Sequence, residues 1–272
     1  SLIFRALMMN IWRVWMRQRR RRLGLNGRTV SRPNLHEITF FNGGPQMNSS
    51  FKTIGNEHQP LMVIDDFHPA PEELVDTARR QKFIQDKTSY PGVRAPAPRS
   101  YAENLALTVN NIVLTSFGLN NRAVSFLFAT YACVTRSPED LHIFQRIPHF
   151  DSNEPEQLAC IHYLSRPELN CGGTAFYRHI ETSYEYVDGQ RVEAYSQVLN
   201  RQIQNSDIPV PPQYICDNSN LFTQIHREEA GYNRLVIYRS TSLHSGLITD
   251  EYKHQGHPVD GRLTITSFMK LS

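Results

Sequence analysis

From Ala123 onward the sequence breaks into short runs of β-branched and aromatic residues separated by turn formers: AVSFLFATYACVTR, LHIFQRIPHFD, LACIHYL, GTAFYRH, RLVIYRST and RLTITSFM. Runs of this length and spacing are too short for core helices and are what a sandwich or barrel of strands requires. The segment before them reads differently. PLMVIDDFHPAPEELVDTARRQ predicts a strand ending at Asp65-Asp66, a proline turn and a helix from about Pro71, with Glu72 and Glu73 placed to suit the helix dipole. A second helix is expected over about Tyr101 to Leu119, and HEITFFNG predicts a strand closed by Gly43-Gly44. The expected class is therefore mainly β (α+β), in one domain over residues 35–272. Residues 1–34 form a basic N-terminal extension.

The charge is concentrated in that extension. Nine of the 29 Lys+Arg residues lie within 1–32 with no acidic residue among them, which leaves 20 against 26 Asp+Glu in the remainder. The overall net charge of +3 thus describes the extension and gives no reason to expect nucleic-acid binding by the domain. Apolar residues in the first 15 positions recur at helical spacing, and the cluster Arg19 to Arg22 follows them. A secretory signal has the opposite order. A solvated extension is the preferred reading, and contact of the Arg cluster with an anionic surface is the other. Cys133, Cys160, Cys171 and Cys216 show no metal-ribbon or CxxC spacing, so buried, reduced thiols and a cytoplasmic location are expected.

Chemistry enters with HFD. On an extended chain His149 and Asp151 point the same way, so one strand presents two corners of a metal site. If LHIFQRIPHFD is a strand, Gln145 and Ile147 share that face. A third ligand has to come from elsewhere, and His244, after the apolar run RLVIY, is placed to supply it. Two imidazoles and one carboxylate on one side of an octahedral ion leave positions open, as in non-haem Fe(II) oxygenases. In GRLTITSFM, Arg262, Thr264 and Thr266 share a face; an arginine turned into an apolar interior calls for an anion. Alternation in LACIHYL turns Tyr163 inward as well.

HFD, IHYL, GGTAF, a distant His and RLT, in that order, resemble the 2-oxoglutarate/Fe(II)-dependent dioxygenases. The pattern is most similar to the prolyl 4-hydroxylase-like branch, in a small bacterial subfamily, over about Pro60 to Met269. The resemblance implies a double-stranded β-helix (jelly-roll, cupin-like) with flanking helices. It also implies Fe(II) on His149, Asp151 and His244, and 2-oxoglutarate held by Arg262 with Tyr163 and Thr264 assisting. Gly172 and Gly173 would form the turn before the strand carrying Phe176. The implied reaction uses dioxygen and 2-oxoglutarate to hydroxylate an unactivated C–H bond of an amino acid, a peptidyl side chain or a small metabolite. Asp151 stands where a halogenase would need a halide. The stretch from His244 to Arg262 is longer than in the prolyl hydroxylases.

Two other classes are open. One is a non-catalytic β-helix binding protein; the other is a cupin-like metalloenzyme that does not use 2-oxoglutarate, for which the RLT segment is superfluous. Arg146, Tyr177, Arg178 and Arg239 are candidates for a substrate pocket. The polar stretch Ile180–Tyr232, together with Ser245–Gly261, reads as a lid or binding loop over the barrel mouth.

Overall fold

A computed structural model describes residues 48–86, 90–205, 207–208, 211–249, 252–254 and 256–272. The strand expected at HEITFFNG, the boundary at residue 35 and the Arg cluster lie outside them. Eleven strands are described: β1 (Asn48–Ile54), β2 (Gln59–Asp65), β3 (Ile84–Gln85), β4 (Gly92–Pro96), β5 (Val124–Val134), β6 (Gln157–Tyr163), β7 (Thr174–His179), β8 (Phe222–Glu228), β9 (Leu235–Arg239), β10 (His244–Gly246) and β11 (Leu263–Leu271). They form an eight-stranded sheet in the order β1-β2-β9-β6-β11-β5-β4-β3 and a three-stranded sheet in the order β10-β7-β8. Every pairing between them is antiparallel.

The large sheet is covered on both faces, which is why its central strands read as near-continuous apolar runs. On one face Met62, Ile64, Leu158, Cys160, Leu235, Ile237, Leu263 and Ile265 pack against two helices. The first, α1 (Pro71–Arg79), starts on a proline, carries Glu72 and Glu73 in its first turn, and buries Leu74 and Ala78 one helical turn apart. The second, α2 (Arg99–Thr108), buries Tyr101 and Leu105 and continues through a π-type turn at Val109–Val113 to Ser116. On the other face the alternate residues Leu61, Val63, Ala159, Tyr163, Val236 and Tyr238 form a cluster with Phe176 of β7. The small sheet therefore packs on the face opposite the helices. The alternation expected for β6 and β11 holds, with Tyr163 and Phe268 on the small-sheet side and Leu263 and Ile265 on the helix side.

Two expectations need correction. LHIFQRIPHFD is not a strand. Its Ile143–Gln145 segment is a 3-10 turn in which the Gln145 side chain accepts from the His142 backbone N–H (2.8 Å), and Pro148 has no N–H to offer a ladder. Gln145 consequently does not share a strand face with His149. The polar stretch 180–232 is not one loop either. It contains α3 (Val192–Gln204), which buries Tyr195, Leu199 and Gln202, and the strand β8. β8 read as polar because it is an edge strand with mostly half-exposed side chains. Cys133, Cys160 and Cys171 are buried free thiols, as expected, and no described helix is long and apolar enough to cross a membrane.

Candidate metal centre

His149 and His244 meet in an isolated antiparallel bridge in which each backbone N–H donates to the other's carbonyl (2.9 and 2.8 Å). Directly opposed residues of an antiparallel pair project to the same side, and the two imidazole centroids are 4.4 Å apart. Asp151, one extended step beyond Phe150, is fixed by its N–H to the Ser240 carbonyl (2.8 Å). Its carboxylate then lies 3.8 Å from His149 Nε2 and 3.4 Å from His244 Nε2. One ligand atom from each of the three falls within 4.8 Å of the other two.

His244 Nδ1 is 2.9 Å from the Ser242 carbonyl, which can only accept, so Nδ1 carries the proton and Nε2 presents a lone pair. That lone pair faces Asp151 Oδ2, a buried oxygen with no hydrogen-bond partner. Two lone pairs directed at one another in a dry site repel unless a cation lies between them, so the donor set fits a divalent metal. The electrostatics agree. Burial lowers the His244 imidazole to about 4 against the upward pull of its bond to Ser242. Burial, then the neighbouring His244, lowers His149 to about 4, although its side chain keeps 42% of its exposure. Burial raises Asp151 to about 6, opposed by His149 and Arg94.

Arg262 is 4% exposed. Its Nε donates to the Cys171 carbonyl (3.0 Å) and its Nη2 to the Gly173 carbonyl (2.8 Å). No carboxylate lies within ion-pair reach of it among the described residues. The guanidinium sits beside Gly246, two residues along β10 from His244, and 5.7 Å from the Tyr163 ring centroid. Tyr163 shares a 2.6 Å hydrogen bond with Thr174 at the start of β7. Thr264, paired with Tyr163 across β11 and β6, donates to the Ala132 carbonyl (3.4 Å). Gly172 and Gly173 do form the turn before β7. Gly172 has φ +66°, and a Cβ there would lie 1.9 Å from the Leu247 carbonyl; one on Gly173 would lie 1.9 Å from that of Glu228.

Of the four arginine and tyrosine candidates for a pocket, Arg146 lines a cavity. Arg178 is held by buried Glu185, Tyr177 donates to the Ile215 carbonyl, and Arg239 to those of Pro155 and Phe117. Sequence reasoning missed Arg94. It lies in one row across the large sheet with Ala132, Thr264 and Tyr163, is ion-paired with Asp86, and its charge lowers the pKa of both His149 and Asp151. β4 is a five-residue strand with a proline and a single apolar alternation, so only the pairing reveals it.

The fold and site together are those of a mainly antiparallel β protein with a His-Asp-His cluster of metal-ligand geometry. The chain belongs to the family described as Family of unknown function (DUF6445), whose model matches residues 45–269. No curated protein matches it significantly. Among solved structures it is similar to HygX from Streptomyces hygroscopicus, crystallised with nickel, 2-oxoglutarate and hygromycin B. That likeness has a TM-score of 0.41 and 10% identity over 79% of this chain and 84% of that one. It is also similar to EvdO2 from Micromonospora carbonacea var. aurantiaca (TM-score 0.38, 10% identity, 78% and 86% covered). A third is an N-substituted L-amino acid dioxygenase from Burkholderia ambifaria AMMD (TM-score 0.35, 9% identity, 83% and 94% covered).

Proposed function

We propose that this protein is an Fe(II)- and 2-oxoglutarate-dependent oxygenase on a double-stranded β-helix, hydroxylating an unactivated C–H bond of a small-molecule or peptidyl substrate. The observation that carries the reading is the convergence of two imidazoles and the unpartnered Asp151 oxygen, with the buried, carboxylate-free guanidinium of Arg262 beside Gly246, two residues along β10 from His244. His149, Asp151 and His244 would hold the metal, and Arg262 would hold the distal carboxylate of 2-oxoglutarate. Tyr163 and Thr264 assist from the adjacent row of the large sheet.

With both groups bound, the metal centre supplies the oxidation of a C–H bond by dioxygen. The chain's own work is orientation and exclusion of water. The bond from His244 Nδ1 to Ser242 fixes the tautomer that leaves Nε2 basic. The Cys171 and Gly173 carbonyls fix the plane of the Arg262 guanidinium, so that its remaining N–H groups meet a planar carboxylate without reorganising. The Tyr163–Thr174 pair keeps the neighbouring hydroxyls ordered, and Phe176 and Tyr238 close the apolar side of His244.

The reading is tested by anaerobic Mn(II) titration, followed by electron paramagnetic resonance, and by 2-oxoglutarate binding measured calorimetrically. His149→Ala, Asp151→Ala and His244→Ala are each expected to weaken Mn(II) at least a hundredfold while the fold persists. Arg262→Ala is expected to keep Mn(II) and weaken 2-oxoglutarate at least tenfold, since a charge-assisted contact to a buried partner is worth about 2–5 kcal/mol. Wild-type Mn(II) affinity in any one of the triad variants removes that residue from the site. Unchanged 2-oxoglutarate binding in Arg262→Ala removes the cosubstrate assignment.

A further inference from the structure

We propose that Tyr238 is a further binding residue of the metal centre, its hydroxyl donating a hydrogen bond to an oxygen at the metal-binding end of the ligand held beside His244 and Asp151. That the ligand is a 2-oxo acid rests on the oxygenase reading; the place of the donor does not. β9 puts Tyr238 on the small-sheet face of the large sheet, in the cluster that contains Tyr163 and Phe176. Its backbone is paired on both sides, with Leu61 of β2 and Ala159 of β6. The ring is held as well: its centroid lies 4.7 Å from that of the His244 imidazole, and it meets Phe176 edge-on at 5.2 Å. Strand and ring contacts together fix where the hydroxyl stands.

The cluster contains two tyrosines, and they differ in what their hydroxyls do. Tyr163 is engaged with Thr174 (2.6 Å). Tyr238 is 2% exposed, and its hydroxyl makes no hydrogen bond to any of the described residues. A phenol kept from bulk water ordinarily finds a partner, because a donor left unmade forfeits its hydration without return. Burial holds this phenol well above its ordinary range, so it keeps its proton and can donate it to an acceptor.

The charges acting on the hydroxyl identify its surroundings. Asp151 is the first of them, and Arg262 acts with the opposite sign. The phenol therefore lies in the field of the metal-ligand cluster and of the guanidinium that would hold the distal carboxylate. The cluster offers it lone pairs, on Asp151 Oδ2 and His244 Nε2, but it bonds to neither, and a bound metal would take both. An oxygen of the molecule that completes the coordination is the acceptor left for it. A neutral donor also suits this position better than an arginine would, since a cation beside a divalent ion is repelled. Tyr238 thus supplies at the metal end of a dicarboxylate what Arg262 supplies at the far end.

Calorimetry on the Mn(II)-loaded full chain tests this with two probes: 2-oxoglutarate, and oxalate, which has a metal-binding end and no distal carboxylate. Tyr238→Phe keeps the ring against His244 and Phe176 and removes the hydroxyl alone. It is expected to retain wild-type Mn(II) affinity and to weaken both probes at least tenfold, as the loss of a hydrogen bond to a charged group does. Arg262→Ala should weaken 2-oxoglutarate and leave oxalate unchanged. Thermal unfolding of the metal-free chain separates binding from packing, because a hydroxyl without a protein partner can be removed with no drop in midpoint. The proposal is overturned if Tyr238→Phe binds oxalate like wild type, if it loses Mn(II), or if its midpoint falls by more than about 3 °C. Oxalate binding that depends on Tyr238, in a chain that does not bind 2-oxoglutarate, supports the donor and removes the oxygenase reading. Wild-type binding of both probes by Tyr238→Phe, with 2-oxoglutarate still weakened in Arg262→Ala, removes the donor and leaves that reading. A wild-type chain that binds neither probe overturns both.

Discussion

Asp151 and the two histidines are tuned in opposite directions, and the signs bear on pH. Without metal, the raised Asp151 favours the folded chain at low pH, and its contribution is lost as pH rises through about 6. The depressed histidines contribute stability above their ordinary range near 6.5, and it is lost as pH falls through about 4. A metal needs the carboxylate ionised and both imidazoles neutral. Between about 4 and about 6 the imidazoles are already neutral, so only the Asp151 proton competes. Mn(II) affinity is therefore expected to fall roughly tenfold per pH unit below about 6, the slope of one proton. A slope of two or more, read from Mn(II) titrations between pH 5 and 6, would mean that the histidines titrate there too and that the site is wetter than its geometry indicates.

At the scale of elements, the glycine turn before β7 sets the position of Arg262, because the Cys171 and Gly173 carbonyls that receive its N–H groups belong to that turn. Gly173→Ala would drive a methyl into the Glu228 carbonyl and is expected to destabilise the fold by about 2 kcal/mol or more. Urea unfolding checks it, and a cost under about 0.5 kcal/mol would mean that β8 yields freely. This turn was legible as GGTAF because glycine is the residue such close backbone approach demands. The strands β5, β6, β7, β9 and β11 were legible because burial on one or both faces leaves apolar runs. β1, β4 and β8 were not. They lie at or near sheet edges, where half-exposed positions take polar residues and only pairing defines the strand. The convergence of His149, Asp151 and His244 was readable through HFD and the later His, even though HFD does not lie in a strand. Two side chains one residue apart need only three extended residues to share a face, and the bridge to His244 supplies them. The fixed tautomer of His244 was beyond sequence, since a backbone carbonyl carries no residue signature.

For the molecule as a whole, the described part is one compact unit, Asn48–Ser272, and the family match begins at residue 45. A chain starting at residue 45 is expected to bind Mn(II) with the affinity of the full chain; a tenfold loss would place part of the site's support in the first 44 residues. The buried Glu185 has a bearing on how such a unit opens. Its carboxylate accepts from the Asn56 and Glu57 N–H groups (2.9 and 2.8 Å), across 129 and 128 positions of sequence, and from Arg178. Its own carbonyl accepts from Leu243 N–H (2.8 Å), next to His244. One residue thus bolts the β1–β2 turn to the backbone that leads into His244. In native-state hydrogen exchange, the amides of Glu57, Leu243 and His244 should therefore open together as a single cooperative block, whose release would uncouple the His149–His244 bridge.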